Sequence, residues 1–376
     1  MRQCRRRRCF LGDLLPHWRT RRDCSVVAVE KSEAAGAPEA EGRRHAVFVP
    51  YPANNSSVRT RALTWIDRLV DAGVLSSESV TVYGPGFERR ASAVGSDVLL
   101  LRNARRFSRG RTEQRILQRA GFGVYDIDDG LPWDSGDLPG LGHWSKRPWP
   151  RSLIARRAAS AADRVVAGNS TLADWAEQHC DDVVVVPTCV EPDDYIRRDN
   201  WTQPAQPVIG WIGSPPTTPY LAAIAPALRE ACRRTGARIE VVGADAEKLQ
   251  TLADLTTFVP WDNLDAMRRI STWDLGVMPL RDGVYERAKA GYKLLQYAAA
   301  GVPAVGSPVG VNETLLAAMD GEAPASIDDW ADAIVSVLTE SSNRRQDRAT
   351  AGLACAHAYS YEVWQDRWVD AVGWLR

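Results

Sequence analysis

The sequence lacks the features that define several large classes of protein. Its 376 residues contain no apolar run of about 18 residues, the length that a membrane-spanning helix needs. Lysine and arginine together number 47, as do aspartate and glutamate, so the formal net charge is zero. The charge balance therefore argues against a protein that binds nucleic acid through bulk positive charge.

Cysteines and several catalytic motifs are also scarce or absent. The seven cysteines are odd in number and lack the spacing of metal ligands, so we expect free thiols in a reducing cytoplasm. The sequence has no Gly-Lys-Ser/Thr phosphate loop, no nucleophile elbow and no His-Glu-x-x-His motif. A P-loop ATPase, an α/β-hydrolase and a zincin are therefore not expected, and no metal site is predicted.

The first 44 residues are rich in Arg, Ala and Glu and show little hydrophobic periodicity. Asp13 interrupts the short apolar run that follows Arg5–Arg8, so the segment does not fit a secretory signal. We expect residues 1–44 to form a disordered, dispensable basic extension. The alternative is a basic tether to anionic lipid.

The rest of the chain has the pattern of two α/β domains. The length is about two to three times that of a common domain. From residue 45 onward, short apolar runs alternate with amphipathic helical patterns, as in a doubly wound parallel sheet. A stretch rich in Pro and Asp interrupts the alternation. We therefore predict Rossmann-like domains over 45–190 and 208–355, joined by a hinge linker over 191–207.

The loop between the first strand and the first helix of the first domain carries candidate ligand-binding residues. The predicted strand Ala46–Tyr51 runs into a polar loop that contains Asn54 and Asn55. Ser57 is placed to cap the helix Val58–Ala72 that follows. Loops at the carboxyl ends of parallel strands face the ligand in such folds, so we treat Asn54 and Asn55 as candidate ligand-binding residues.

A later strand, Gly123–Ile127, delivers Asp128 and Asp129 to its carboxyl end. Adjacent side chains on a strand point to opposite faces, so we expect only one aspartate to face the cleft directly. Three roles stay open: accepting a hydrogen bond from a substrate hydroxyl, capping a turn, or binding a metal. We treat both as candidate ligand-binding residues.

Residues 131–150 combine several Gly and Pro residues with Trp133, Trp144 and Trp149, which predicts a loop over the cleft. His143 is the one histidine between His45 and His179, which makes it a candidate for a ligand contact. A structural role for a lone histidine is the alternative.

Seven arginines lie between residues 102 and 119, against a single glutamate, Glu113. One interpretation is a solvated basic helix face. The other is a surface that binds a lipid phosphate or a negatively charged membrane. The second interpretation would place a cytoplasmic protein at the inner face of the membrane.

The most informative stretch is 273–312. The apolar run Asp274–Leu280 predicts a buried strand, whose exit loop lies at the carboxyl edge of the sheet. That loop carries three cations around Gly291: Arg287, Lys289 and Lys293. A helical segment starts immediately afterwards, at Leu294. Cations and free backbone N–H groups at a helix N-terminus together favour an anionic phosphate at this point.

The run RAKAGYKLLQYAAAGVPAVGSPVGVN resembles the donor-binding segment of glycosyltransferase family 4, the retaining, nucleotide-sugar-dependent enzymes of GT-B fold. It is most similar to bacterial members with an Arg-Gly-Lys-x-Gly-(Phe/Tyr)-Lys-Leu-(Leu/Ile)-Gln-Tyr pattern. Weaker matches occur at YDIDDG, VVAGNSTLADW and IGWIGSP. Together they cover roughly residues 45–370.

The resemblance implies a GT-B fold, with two Rossmann-like parallel-sheet domains facing a central cleft and a C-terminal helix, 356–376, crossing back to the first domain. It also implies retaining transfer of a sugar from a UDP- or GDP-linked donor. The acceptor would be a hydroxyl of an envelope glycan, a lipid-linked sugar or a secondary metabolite. The residues that would bind it are Asn54, Asn55, Asp128, Asp129 and His143. His143 would also contact the transferred sugar, and the aromatic rings of residues 131–150 would suit stacking on the apolar faces of sugars. Beyond this co-substrate we expect no cofactor, and no nucleic-acid partner.

The sequence and the resemblance together assign the donor site. We expect Lys289 and Lys293 to bind the diphosphate and, with His143, to form the catalytic set. The backbone N–H groups of Gly291–Leu294 would bind the distal phosphate. The full donor-binding set is Gly213, Ser214, Trp261, Arg287, Lys289, Gly291, Tyr292, Lys293, Leu294 and Gln296.

Two departures from the family pattern keep other hypotheses open. The first Gly loop of the second domain, GSPPTTPY, carries no cation, and the family's pair of glutamates is replaced by Ala288 and Gln296. Gln296 can still hydrogen-bond ribose hydroxyls, and Glu286 or Asp282 is a candidate replacement for the first glutamate. A catalytically impaired GT-B partner or scaffold protein is the second hypothesis, and a GT-B-like nucleotide-sugar epimerase is the third.

Overall fold

The computed structural model describes residues 44–84, 95–101, 110–133, 150–202, 204–261 and 263–374. The predicted basic extension, residues 1–44, lies outside this part of the chain except for its last residue. The described residues form two parallel sheets flanked by helices. The predicted α/β fold with two Rossmann-like domains is therefore confirmed.

The N-terminal sheet has six strands. They are β1 His45–Phe48, β2 Val80–Tyr83, β3 Asp97–Leu101, β4 Phe122–Ile127, β5 Arg164–Ala167 and β6 Val183–Val185. All pairings are parallel, in the order β2-β1-β3-β4-β5-β6. The strand order reverses between β1 and β3, and ligands bind at such a switch point beyond the carboxyl ends of the strands. The loop after β1, with Asn54 and Asn55, lies there.

The C-terminal sheet has five parallel strands. They are β7 Val208–Ile212, β8 Arg238–Val242, β9 Thr256–Val259, β10 Leu275–Met278 and β11 Ala304–Gly306. Their order is β11-β10-β7-β8-β9, so the switch point lies between β7 and β10. The loops that follow these two strands carry Gly213 and the lysines, respectively. The two candidate phosphate-binding loops are thereby brought side by side.

Helices cover both faces of the sheets. In the N-terminal half they are α1 Ser56–Val58, α2 Thr64–Asp71, α3 Arg111–Gln118, α4 Arg151–Ala159 and α5 Ser170–Ala176. In the C-terminal half they are α6 Thr218–Ala223, α7 Ala225–Thr235, α8 Asn263–Ile270, α9 Val284–Arg287, α10 Tyr292–Ala299, α11 Val311–Ala318, α12 Trp330–Leu338, α13 Ser342–Ala358 and α14 Tyr361–Val372. None of the described helices is long and apolar enough to cross a bilayer.

The last helix, α14, packs on the N-terminal sheet. Trp368 stacks on Trp65 with ring centroids 5.4 Å apart, and Tyr361 meets the same indole edge-on at 4.6 Å. Trp374, just beyond the helix, stacks on His45 at 4.6 Å. Because these aromatic side chains are all buried, the C-terminal segment belongs to the core of the N-terminal domain.

Several element boundaries differ from the sequence predictions. Asn55, not Ser57, caps the first helix, since its side-chain oxygen accepts a hydrogen bond from the N–H of Val58. Asn and Ser cap helices about equally well, so the pattern could not choose between them. A π-helical turn, Arg59–Leu63, joins α1 to α2. The 17-residue helix α13 was not predicted, because its apolar residues are mostly alanine and give little periodic signal.

Candidate active site

A cleft of about 470 Å³ lies between the two sheets and is lined by both domains. The N-terminal wall, defined here by its lining residues, consists of Asn54, Asn55, Ser56, Ser57, Arg59, Thr60, Thr64, Asp128, Asp129 and Thr188. The C-terminal wall consists of Ile212, Gly213, Ser214, Pro215, Gly243, Trp261, Met267, Met278, Lys289, Ala290, Gly291, Tyr292, Lys293 and Gln296. Linker residues Glu191, Asp194 and Tyr195, with Tyr361, complete the lining.

The two predicted lysines both line this cleft. Lys289 follows α9, and its Nζ lies 3.4 Å from Asp129 Oδ1 and 4.6 Å from the centroid of the Tyr285 ring. Lys293, in the first turn of α10, has its Nζ 5.6 Å from the centroid of the Trp211 ring. Burial lowers the pKa of Lys293 to about 8; the Lys289 ammonium lowers it further, and Asp129 opposes the shift. The C-terminal wall of the cleft therefore holds two cations that a polyanion would stabilise.

The start of α10 faces the cleft as the sequence predicts, with one exception. Gly291 has φ 67° and a Cβ there would lie 2.5 Å from Leu315 Cδ1, so the position requires glycine. Tyr292 and Lys293 follow in the first turn, where backbone N–H groups lack intrahelical partners. The N–H of Leu294, however, donates to the Gly291 carbonyl at 2.9 Å, and its side chain is buried in the core. The prediction that Leu294 offers a free N–H to the phosphate is therefore wrong.

Arg287 does not join the lysines. It ends α9 with a largely exposed side chain, and its guanidinium bonds the Asp282 carboxylate at 2.7 and 2.9 Å. Neither residue lines the cleft. The structure thus places Arg287 and Asp282 in an exposed local ion pair, outside the predicted donor site.

Glu286 is also directed away from the cleft. Its carboxylate is 1% exposed and accepts hydrogen bonds at 2.7 Å from the Tyr220 hydroxyl and from Arg281 Nε. A carboxylate in such a buried network holds α9 against α6. Glu286 and Asp282 were the candidate replacements for the first glutamate of the resembling family. Neither of them lines the cleft.

Ala288 and Gln296 are the two residues that the resemblance sets against the family's pair of glutamates. Ala288 is fully buried; its methyl group packs in the core of the N-terminal domain and its carbonyl oxygen accepts a 2.8 Å hydrogen bond from Asn169 Nδ2. Gln296 is 7% exposed and lines the cleft from the second turn of α10. The amide is therefore placed for a ligand contact, whereas position 288 has become part of the interface between the domains.

The other predicted donor residues lie further along the same wall. Gly213 and Ser214 follow β7, where the Ser214 N–H donates to Thr217 Oγ1 at 3.2 Å. Gly243, which was not among the predicted residues, follows β8, and Trp261 follows β9 with 46% of its surface exposed. Gly213, Ser214, Gly243 and Trp261 all line the cleft. An exposed indole beside glycine-rich loops offers a flat apolar surface for a ring.

On the N-terminal wall, Asn54, Asn55, Asp128 and Asp129 line the cleft together. The expectation that only one aspartate would face it is wrong, because β4 ends at Ile127 and the strand alternation no longer applies. Asn55 also caps α1, so its oxygen has a structural use as well. His143 and four of the arginines, Arg102, Arg105, Arg106 and Arg109, lie outside the described residues.

A buried ion pair beneath this wall was missed by the sequence analysis. Arg61, in the π-helical turn, is 1% exposed and makes bonds of 3.0 and 2.6 Å to the two carboxylate oxygens of Asp126. Its remaining terminal nitrogen donates to the Val186 carbonyl at 2.8 Å. Asp126 is two residues before Asp128, so the pair fixes the end of β4 that carries the aspartates. The available signal in the sequence was an arginine among apolar residues on one helix face. Arginine is rarely buried unless it is paired, so this pattern indicates a buried ion pair.

No three His, Cys, Asp or Glu side chains come together as a metal site would require within the described part of the chain. The charged side chains of the two walls are thus two lysines on the C-terminal wall, and two aspartates with Arg59 on the N-terminal wall.

Part of the chain is similar to a known protein family. Residues 206–340 match the family model described as "Glycosyl transferases group 1". The match covers 135 of the 376 residues and lies in the C-terminal domain. The prediction of a glycosyltransferase is confirmed at this level. Among curated proteins, no match to the chain was found.

Solved structures share the whole architecture at low sequence identity. Anabaena HepE in complex with UDP-glucose is 13% identical, with a TM-score of 0.62 over 88% of this chain and 99% of that protein. WaaG, a glycosyltransferase involved in lipopolysaccharide biosynthesis, is 14% identical, with a TM-score of 0.61 over 87% and 99%. The likeness shows that the two Rossmann-like domains form the GT-B fold.

A third solved structure is larger than this chain. A variant of S. aureus TarM in complex with Fondaparinux, alpha-GlcNAc-glycerol and UDP is 10% identical, with a TM-score of 0.57 over 76% of this chain. The chain spans 58% of that protein, so the likeness concerns the shared GT-B part.

Proposed function

We propose that this chain is a retaining glycosyltransferase that uses a nucleoside diphosphate sugar. It transfers the sugar to a hydroxyl of an envelope glycan, a lipid-linked sugar or a secondary metabolite. The observation that carries the proposal is the convergence of Lys289, Lys293 and the start of α10 on one cleft. Cations and helix N-terminal N–H groups are the groups that bind and neutralise a diphosphate without a metal.

The order of the strands gives the nucleotide its direction. The lysines follow β10, Gly213 follows β7, Gly243 follows β8 and Trp261 follows β9, and these strands are consecutive neighbours in the sheet. Neighbouring strands are about 4.8 Å apart, so Trp261 is roughly 14 Å from the lysine loop along the sheet edge. That span is comparable to the length of a nucleoside. The base would lie toward Trp261, and Gln296 would contact the ribose.

The proposed reaction requires groups that neutralise the charge of the leaving nucleoside diphosphate, and it does not require a nucleophile from the protein. Breaking the bond between the sugar and the phosphate leaves a nucleoside diphosphate with an additional negative charge. Lys289 and Lys293 stabilise that charge as it develops, because they are fixed beside the phosphates before the reaction starts. In a retaining transfer of this kind the leaving phosphate oxygen accepts the proton of the acceptor hydroxyl. The facing walls exclude water, which would otherwise compete as acceptor.

A uridine or guanosine nucleotide is the expected donor. HepE and TarM were solved with UDP-containing ligands, which supports uridine as the first base to test. Isothermal titration of the intact protein with UDP, GDP and their sugar conjugates measures affinity, and release of free sugar in the absence of acceptor measures turnover. Micromolar binding with turnover supports an active transferase. Binding without turnover under any acceptor would favour the catalytically impaired partner protein instead.

The proposed partners include a negatively charged surface. Arg111, Arg115 and Arg119 lie on or next to α3 with exposed side chains, and they extend an arginine-rich sequence. We propose peripheral contact with the inner face of a membrane through this region. Co-sedimentation with vesicles that contain anionic lipid should be lost when Arg111, Arg115 and Arg119 are changed to Glu. Unchanged sedimentation would show that these side chains form an ordinary solvated face.

A further inference from the structure

Two carboxylates of the N-terminal wall lie at the end of the cleft that holds the lysines. Asp129 Oδ1 is 3.4 Å from Lys289 Nζ, and Asp129 Oδ2 lies 3.4 Å from the Tyr285 hydroxyl. Asp128 lines the same cleft and is 7% exposed. Negative charge on the N-terminal wall therefore begins directly beside the cation that we assign to the diphosphate.

Contacts between the domains hold this arrangement. The Asn169 side chain donates to the Ala288 carbonyl at 2.8 Å, one residue before Lys289. Gly130 lets Tyr285 approach closely, because a Cβ at Gly130 would lie 2.6 Å from Tyr285 Cδ2. The residues on either side of the Asp129–Lys289 pair are thus packed across the interface, and the carboxylate is fixed in place.

The direction of the nucleotide determines what meets these carboxylates. The nucleoside extends from the lysines toward Trp261, along the C-terminal sheet edge. The donor sugar is attached to the opposite end of the diphosphate, and Asp129 lies 3.4 Å from Lys289. A sugar joined to a diphosphate at Lys289 is therefore within reach of Asp129, on a wall that also carries Arg59 and several amides and hydroxyls. Arg151 interacts with Asp129 but does not line the cleft.

We propose that Asp129, supported by the charge of Asp128, contacts the donor sugar and selects an uncharged one. A carboxylate accepts hydrogen bonds from sugar hydroxyls and repels a second carboxylate at short range. The site therefore takes a neutral hexose or an N-acylated amino sugar and rejects a uronic acid. This inference rests on the proposed function, and it moves Asp129 from the acceptor to the donor.

The test compares sugar nucleotides that differ only in charge. Titration calorimetry on the intact protein would measure binding of UDP, UDP-glucose and UDP-glucuronic acid, which differ at C6 of the sugar. If GDP binds in place of UDP, the corresponding pair is GDP-mannose and GDP-mannuronic acid. We expect the uronic acid to bind at least tenfold more weakly than the neutral sugar, a factor equal to about 1.4 kcal/mol.

Two variants identify the source of the discrimination. Asp129→Asn should reduce the difference in affinity between the neutral and acidic donors to about threefold or less. UDP alone should bind this variant equally well or more tightly, because the Asp129 carboxylate no longer competes with the phosphates for Lys289. Asp174→Asn, at an exposed aspartate on α5, should leave the discrimination unchanged. Thermal unfolding of each variant confirms that it is folded.

The outcomes separate this inference from the proposed function. Binding of UDP with equal affinities for the neutral and acidic donors would overturn the inference and leave the proposed function standing. Undiminished discrimination in Asp129→Asn and in Asp128→Asn would also overturn it. A failure to bind either UDP or GDP would instead contradict the proposed function itself.

Discussion

The two walls of the cleft arise from the same kind of structure and carry opposite chemistry. Each is formed by loops at the carboxyl ends of parallel strands, beside the point where the strand order reverses. The C-terminal wall presents Lys289 and Lys293, whereas the N-terminal wall presents Asp128 and Asp129 with Arg59 and a row of amides and hydroxyls. One fold thus gives a wall suited to phosphates and a wall suited to sugars.

The difference lies in how each wall fixes its charges. Asp128 and Asp129 stand at the end of a strand that is anchored from below by the buried Arg61–Asp126 pair. Lys289 and Lys293 stand on the loop and first helical turn, above Tyr285 and Trp211, with their ammonium groups near the aromatic rings. The aspartates are therefore positioned by an ion pair in the core, and the lysines by contacts at the surface of the cleft.

The largest expected effect comes from breaking the support of the N-terminal wall. Arg61→Met leaves the Asp126 carboxylate buried without its partner, and loss of one member of a buried pair costs about 3–5 kcal/mol. Chemical denaturation, followed by tryptophan fluorescence, measures the change in the free energy of unfolding.

The matched variants test whether the charge is responsible. The double variant Arg61→Met with Asp126→Leu should recover most of the lost stability, since it removes both charges. Arg229→Met, which breaks the exposed ion pair with Asp254, should have little effect. Equal losses in the single and double variants would show that Arg61 acts through packing and not through its charge.

The next largest effect concerns the cations of the C-terminal wall. Lys289→Met and Lys293→Met keep side-chain length but remove the charge. A hydrogen bond between charged groups contributes about 1.5–3 kcal/mol, so each variant should weaken nucleoside diphosphate binding roughly tenfold to a hundredfold. Calorimetric titration measures the change.

The control for this pair is a lysine elsewhere in the same domain. Lys248 pairs with Asp245 and does not line the cleft, so Lys248→Met should leave the affinity unchanged. If both cleft variants bind the nucleotide as tightly as the wild type, the assignment of the diphosphate to this wall is wrong.

The pH dependence of binding gives a smaller effect that is specific to one residue. In the ligand-free protein the pKa of Lys293 is about 8, because burial disfavours its charged form. A bound diphosphate raises this pKa, so binding takes up a proton above pH 8. The affinity should therefore be constant below about pH 8 and fall about tenfold by pH 9.

Proton uptake can be measured directly. Calorimetry in two buffers of different ionisation enthalpy should show about one proton taken up at pH 9 and none at pH 7. Lys293→Met should show neither the uptake nor the fall in affinity. A wild-type affinity that stays flat between pH 7 and pH 9 would mean that Lys293 does not meet the phosphate.

The C-terminal wall was largely predictable because its signals are local. Lys289, Gly291, Lys293 and Gln296 lie within eight residues of one another, and the strand-loop-helix pattern around them fixes which side of the sheet they occupy. Arg287 lies in the same loop sequence as the lysines, but its side chain is exposed and pairs with Asp282 instead of lining the cleft. Its partner, Asp282, is near in sequence, but the single turn of helix that brings the two together was not evident from the pattern.

The N-terminal wall was less predictable because its contacts join distant residues. Arg61 and Asp126 are 65 residues apart, and Asn169 and Ala288 are 119 residues apart. No periodicity links such pairs. Even the two adjacent aspartates were assigned by strand alternation, which fails where the strand ends. The sequence therefore indicated which residue types line this wall but not how they are held.

The smallest effect concerns the ribose contact that we assign to Gln296, an uncharged polar side chain of the C-terminal wall. Gln296 is an amide on the cationic wall, at a position where the resembling family has a carboxylate. Gln296→Leu keeps the volume but removes the hydrogen bonds, and a neutral hydrogen bond contributes about 1 kcal/mol, so nucleotide affinity should fall about fivefold. The loss should be the same for UDP and for UDP-glucose, because the sugar does not reach this turn of α10. If affinity for both ligands is unaltered, Gln296 does not bind the ribose; a loss confined to UDP-glucose would place the amide at the sugar instead.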